Sequence, residues 1–190
     1  MGNNEANNRM IIESGYFKVR RETADYPGAL EGGTCEIMYL ALGMCSEMVK
    51  LLDVHGYKTG DPPVPALGRV AWYMVGLADV AGCVQGLDNI LMADVDPDAP
   101  ISGTYNTLLG VVAAGHIAMV ARNLYRESAP DGHVASDYPG LVLLPGITRF
   151  AKVFRALAAA HDIHPTRILE KNMAIITARQ AKGVGGVDWV

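Results

Sequence analysis

The 190-residue sequence predicts an all-α fold, an antiparallel bundle of four to five helices, on three observations. Apolar residues recur at three- and four-residue spacing over long stretches. Segments rich in Pro and Gly separate those stretches. No alternating run of Val, Ile and Thr competes with them as a strand.

Residues 1–33 read as an N-terminal arm: Asn-rich sequence, a basic patch at Lys18, Arg20 and Arg21, then Pro27 and the Gly32-Gly33 break. A single helical domain follows over 34–190. Thr34 is a suitable N-cap, and Ile37, Met38, Ala41, Met44, Met48 and Leu51 then mark one helical face. Three prolines and two glycines stop that helix within 56–65. A second long helix is expected over about 65–91, with a weak point at 82–86. The acidic, turn-forming stretch DVDPDAPISG at 94–103 reads as a linker; it lacks the glycine and terminal Glu of a calcium loop. A third helix is expected over 105–126, a Gly/Pro loop over 128–145, and two last helices over 146–161 and 165–182. Pro165 suits a first helical turn.

Two halves, 34–93 and 104–182, rhyme. Each has an LG pair (42–43 and 109–110), a helix, a Pro-containing loop and a helix opening near an Arg. Counted from Arg69 and Arg149, Ala71 matches Ala151, Leu77 matches Leu157 and Ala78 matches Ala158. A tandem pseudo-duplicate and a chance likeness among helices both fit.

Half the residues are hydrophobic, enough for a full core. A net charge of -4 and a pI near 5.7 argue against nucleic acid as the main partner. Cys35, Cys45 and Cys83 are odd in number and form no CxxC pair, so they read as reduced thiols of a cytoplasmic protein. The N-terminus has neither a signal-peptide nor a myristoylation pattern. The longest apolar runs are short and interrupted by Asp79 and His116, so they are expected to be core helices and not membrane spans.

Three stretches carry a family likeness: LGMCSEMVKLLD at 42–53, ALGRVAWYMVGLADVAG at 66–82 and ILEKNMAIITARQAKGVGG at 168–186. They resemble the MazG-like nucleoside triphosphate pyrophosphohydrolases, whose corresponding stretches run LGLAGEAGELLD and ELGDVLWYLAALADELG. That likeness implies a MazG-like helical bundle, a nucleotide or other phosphate-bearing small molecule as ligand, and a homo-oligomer. The family's acids, in an EExxE then ExxD pattern, hold the magnesium that binds the triphosphate and activates water. Carried over, Ser46 and Glu47 stand for the paired acids, Lys50 for the third, Ala66 for the fourth and Arg69 for the Asp. Glu47 alone is retained. The second-half counterparts Ala114, Ile117, Gly146 and Arg149 include no acid.

Magnesium needs hard oxygen ligands, and one Glu beside two cations repels a dication. The resemblance therefore implies a catalytically degenerate protein that works by nucleotide binding or protein interaction. Lys50, Arg69 and Arg149, with Asn172 and Arg179 of the C-terminal stretch, are the candidates to contact phosphate directly. The plainer expectation is a surface ion pair between Glu47 and Lys50, with Arg69 in solvent. Two alternatives stand beside this. One is an active magnesium-dependent enzyme using Glu36, Glu47, Asp53 or Asp79, and magnesium is expected as a cofactor only there. The other is a structural subunit of a larger assembly. His161 and His164 have a metal-compatible HxxH spacing but stand at an expected helix junction, where turn or cap duty is commoner. Serine, cysteine and glycosidase mechanisms have no matching arrangement.

Overall fold

A computed structural model describes residues 15–26, 28–56, 63–93, 102–128 and 138–183. The described residues form seven helices and no strand: α1 (Phe17–Glu22), α2 (Thr34–Gly56), α3 (Val64–Val80), α4 (Val84–Met92), α5 (Gly103–Glu127), α6 (Tyr138–Ala159) and α7 (Pro165–Ala181). The fold is all-α, with more helices than the four to five expected. The 94–101 part of the expected linker, Asp94 included, lies outside the described residues, as do the C-terminal glycines after Gly183.

α3 is the centre. Every residue from Ala66 to Ala78 except Arg69 is buried on it, and a helix apolar all round must be packed all round. It touches α2, α6 and α7, while α5 lies outside, against α2 and α6. Pro65 opens α3 without penalty, because the first-turn N–H groups have no helical partner. At its other end the helix expected to reach 91 is broken. Gly82 takes φ +65°, its N–H bonds to the Asp79 carbonyl at 2.9 Å, and the Cys83 N–H bonds to the Ala78 carbonyl at 2.8 Å. These two bonds form a Schellman stop, which a left-handed glycine makes cheap. The apolar spacing resumes in α4, which is why periodicity alone reads through the break.

α6 starts earlier than the glycines and prolines of 128–145 suggested, and it keeps Pro145 inside. The side chain is exposed there, so the cost is confined to the backbone: one lost helical bond and the crowding of the Leu141 carbonyl by the ring. The stop of α6 repeats that of α3: Asp162 takes φ +54°, its N–H bonds to Ala159 at 2.9 Å, and Ile163 N–H bonds to Ala158 at 3.0 Å. Asp162 stands as far beyond Arg149 as Gly82 stands beyond Arg69. Gly82→Ala should lower stability by about 1 kcal/mol and Asp162→Gly should raise it slightly, both read by urea denaturation.

The principal packing pairs also exchange between the halves. α2 packs on α3 as α5 packs on α6, α3 packs on α7 as α6 packs on α4, and α2 packs on α5. The two LG glycines differ in what they make room for. A Cβ on Gly43 would collide with the Tyr73 ring. One on Gly110 would collide with the Met48 side chain of α2 and meet Val153, the residue corresponding to Tyr73 when counted from the two arginines, only at an ordinary 3.7 Å.

The described part of the expected arm, residues 15–26 and 28–33, is packed on the bundle. Tyr16 and Arg20 are among the most buried side chains in the molecule, so the packed domain begins before Thr34. α5 is, among the described residues, the one helix long and apolar enough by length and composition to cross a membrane. One face of it buries Asn106 and Thr107 against the bundle.

Candidate functional site

Close approach of α2 and α3 builds the site. Gly43 leaves room for the Tyr73 ring, and Gly68 lets α7 come close, since a Cβ there would lie 2.8 Å from Asn172 Cβ. One turn beyond Gly43, Glu47 points into the α2–α3 contact and is 3 % exposed. Lys50 Nζ, from the next turn of α2, donates to Glu47 Oε1 at 3.0 Å. Arg69 Nε, from the first turns of α3, donates to Glu47 Oε2 at 2.6 Å. Both carboxylate oxygens are thus claimed by charge-assisted bonds, and the trio keeps one positive charge in excess.

The expected Glu47–Lys50 pair is present, whereas Arg69 turns inward to the same carboxylate and not out to solvent. One cation from α2 and one from α3 thus converge on the same carboxylate. Ser46, next to Glu47 in the sequence, is exposed. Burial, Tyr39 and the Glu47 charge push the Tyr73 phenol up, so it stays protonated beside the cluster.

Around Ala114, Ile117 and Gly146 the interior is filled with hydrocarbon. Ala114 and Ile117 are buried, and a Cβ on Gly146 would lie 2.8 Å from Ile117 Cγ1. Arg149 is exposed on α6, and no contact among the described residues joins it to Glu47. Asn172 lies inside the protein: it is 1 % exposed and accepts a 2.6 Å hydrogen bond from the Tyr16 hydroxyl. A phosphate cannot reach it without displacing Tyr16, so it leaves the set of phosphate-contacting candidates. Arg179 is half-buried in the last turn of α7, where a cation complements the negative end of the helix.

Sequence reasoning missed the largest charged cluster among the described residues. Arg20, fully buried, donates from Nη1 to Asp79 at 3.1 Å and from Nη2 to the Tyr26 hydroxyl at 2.6 Å, and it lies 3.5 Å from Glu36. Tyr26 donates to Glu36 at 2.7 Å, and the backbone of Gly32 donates to the other Glu36 oxygen at 2.9 Å. Arg21 closes the cluster with two bonds to Asp79, at 3.0 and 2.7 Å. Glu36 and Asp79, named as acids of an active enzyme, are therefore structural partners of α1. The Asp53 side chain lies outside the described residues.

An apolar cavity of about 350 Å³ opens between α2 and the end of α5, lined by Cys35, Met38, Tyr39 and Tyr125. Tyr39 stacks on Tyr26 at 4.2 Å between centroids and touches the Tyr73 ring at 6.2 Å. Tyr39, Gly43, Ser46 and Lys50 fall on one stripe of α2, which runs from this cavity to the Glu47 cluster.

The HxxH pair does not converge on a metal. His164 caps α7, its Nδ1 accepting from the Thr166 N–H at 3.3 Å. Burial pushes the His161 pKa down, so the folded state favours neutral imidazole. Stability from this residue is present above pH 6.5, its ordinary pKa, and is lost as the pH falls through the lower folded value. His161→Gln should flatten that loss in denaturation midpoints compared between neutral and mildly acidic pH. Among the described residues no group of three or more His, Cys, Asp or Glu could hold a metal ion. Cys35, Cys45 and Cys83 are free thiols, and burial pushes Cys45 and Cys83 up, away from reactivity. No family model, curated protein or solved structure matches the chain.

Proposed function

We propose that this chain is a MazG-like helical protein, built from two degenerate copies, that binds a nucleotide or similar phosphate-bearing small molecule without metal and does not hydrolyse it. The observation that carries the reading is the Glu47 carboxylate held by Lys50 and Arg69. A dication would have to displace two cations from a buried acid, so the family's metal-activated water has no place to form. An anion meets the opposite arrangement: Lys50 is half-exposed and carries N–H groups beyond the one on Glu47.

The stripe on α2 suggests an orientation. An aromatic base would lie against Tyr39 and Tyr125 in the apolar cavity, with the phosphates running past Ser46 to Lys50. The matching helix stops and packing pairs of the two halves support the duplication, and the hydrocarbon filling at Gly146 leaves one site per chain.

A thermal-shift panel of nucleotides, run with and without magnesium, tests this. The expected result is a stabilisation by some nucleotide that does not require the metal, with no pyrophosphate released. Lys50→Gln should weaken that binding about tenfold, the loss of roughly 1.4 kcal/mol from one charge-assisted bond. Magnesium-dependent pyrophosphate release that disappears in Glu47→Ala would instead establish the enzyme, and no shift with any nucleotide would remove the ligand.

A further inference from the structure

Away from this site, α5 has an exposed apolar surface that no other described helix packs against. The helix turns Asn106, Gly110, Ala113, Ala114 and Ile117 into the bundle. Its opposite face carries Tyr105, Leu108, Val112 and Met119, each about half exposed, with Val112 at 60 %. With Gly115 and Arg122 these residues recur by alternating steps of three and four, the spacing of a coiled-coil seam and not of scattered surface apolars.

Gly115 is the second, independent observation. It is exposed in the middle of the helix, and a Cβ there would meet nothing within 4 Å. Glycine at such a place costs a helix roughly 1 kcal/mol relative to alanine, and no neighbour among the described residues requires it. A gap on an apolar seam is useful to something that packs onto the seam.

We infer that a second copy of this chain covers the face, with α5 pairing antiparallel to the α5 of its partner about a two-fold axis between Val112 and Gly115. In an antiparallel seam the two kinds of core position face each other, and a two-fold makes every contact twice. Val112 then enters the gap at the partner's Gly115, Leu108 meets the partner's Met119, and the Tyr105 ring meets the guanidinium of the partner's Arg122. The outer layer is thus a cation on an aromatic face, at the wet ends of the seam where a charge is tolerated. Sliding the pair by one heptad either sets Arg126 against Leu108 or leaves Met119 and Arg122 without partners, so the charges themselves choose the register. This contact is independent of the phosphate site and of the α2–α5 packing inside one chain.

Sedimentation velocity with light scattering tests it on the full chain. The wild type should have twice the 20.3 kDa chain mass at micromolar concentration. Leu108→Glu should weaken the dimer at least a hundredfold, and it should leave the helical content and melting of the monomer intact because the side chain is exposed. Combining Leu108→Glu with Met119→Lys sets opposite charges across each such layer and should restore the dimer. A monomeric wild type, or a dimer untouched by Leu108→Glu, overturns the proposal. Failure of the double substitution to restore the dimer overturns the antiparallel register. A monomer that co-sediments with phosphatidylcholine–phosphatidylglycerol vesicles, and stops doing so in Leu108→Glu, would show a bilayer in place of the second copy.

Discussion

Arg20→Met is expected to cost about 3–5 kcal/mol of folding stability, the range for removing one partner of a buried ion pair. The methionine restores much of the packing volume but none of the charge. Glu36, 1 % exposed, would keep the Tyr26 hydroxyl and the Gly32 N–H yet lose its only cation among the contacts described here. Asp79 suffers less, since Arg21 still grips it with two bonds. The face of Trp72 loses the guanidinium carbon 5.2 Å from its centroid as well. Lysine should not rescue the site. Arg20 spans Asp79 with one terminal nitrogen and Tyr26 with the other, and a single ammonium cannot hold both. Urea denaturation of Arg20→Met, and of the same change combined with Glu36→Gln, checks the assignment. If the buried Glu36 charge dominates, the double variant recovers part of the loss. If the double variant is no more stable than the single one, the cost lies elsewhere.

That cluster also shows where the sequence stops being readable. Pro65 and Pro165 announced the starts of α3 and α7, because first-turn prolines are local signals, whereas Thr34, expected as the N-cap of α2, is its first helical residue and Gly33 stands in the cap position. Arg20 gave no such signal. Its partners Glu36 and Asp79 are 16 and 59 residues away, and a basic patch next to Asn-rich sequence looks like a solvated arm until the tertiary contacts exist. The candidate site divides along the same line. Lys50 and Glu47 share a helix at i, i+3, so their pairing was legible, whereas the inward turn of Arg69 depends on how closely two helices approach. Asn172 is a candidate by its place in the C-terminal stretch alone. It is enclosed by Tyr16, a residue from a segment read as peripheral.

Replacing both Lys50 and Arg69 by Glu is expected to turn a site indifferent to divalent metal into one that depends on it. Glu47, 3 % exposed, would then face two carboxylates where it now accepts bonds of 3.0 and 2.6 Å. Like charges at that separation disfavour joint ionisation, and the fold should lose about 2–4 kcal/mol in the absence of divalent ions. The lower part of that range applies if the new carboxylates swing outward, since the positions they occupy are 51 % and 24 % exposed. Three acids on two facing helices are also the kind of hard-oxygen set that magnesium or manganese accepts. Either ion at about a hundred times its dissociation constant should return roughly 2.7 kcal/mol to the variant and nothing to the wild type. Sodium chloride at matched ionic strength separates binding from screening, because screening alone would act without regard to the ion. A variant equally unstable with and without divalent ions would mean that the helix frame no longer suits a metal. A wild type stabilised by magnesium would mean that Lys50 and Arg69 do not close the site. The expected outcome places the whole difference between a metal site and an anion site on two side chains, with the α2–α3 frame common to both.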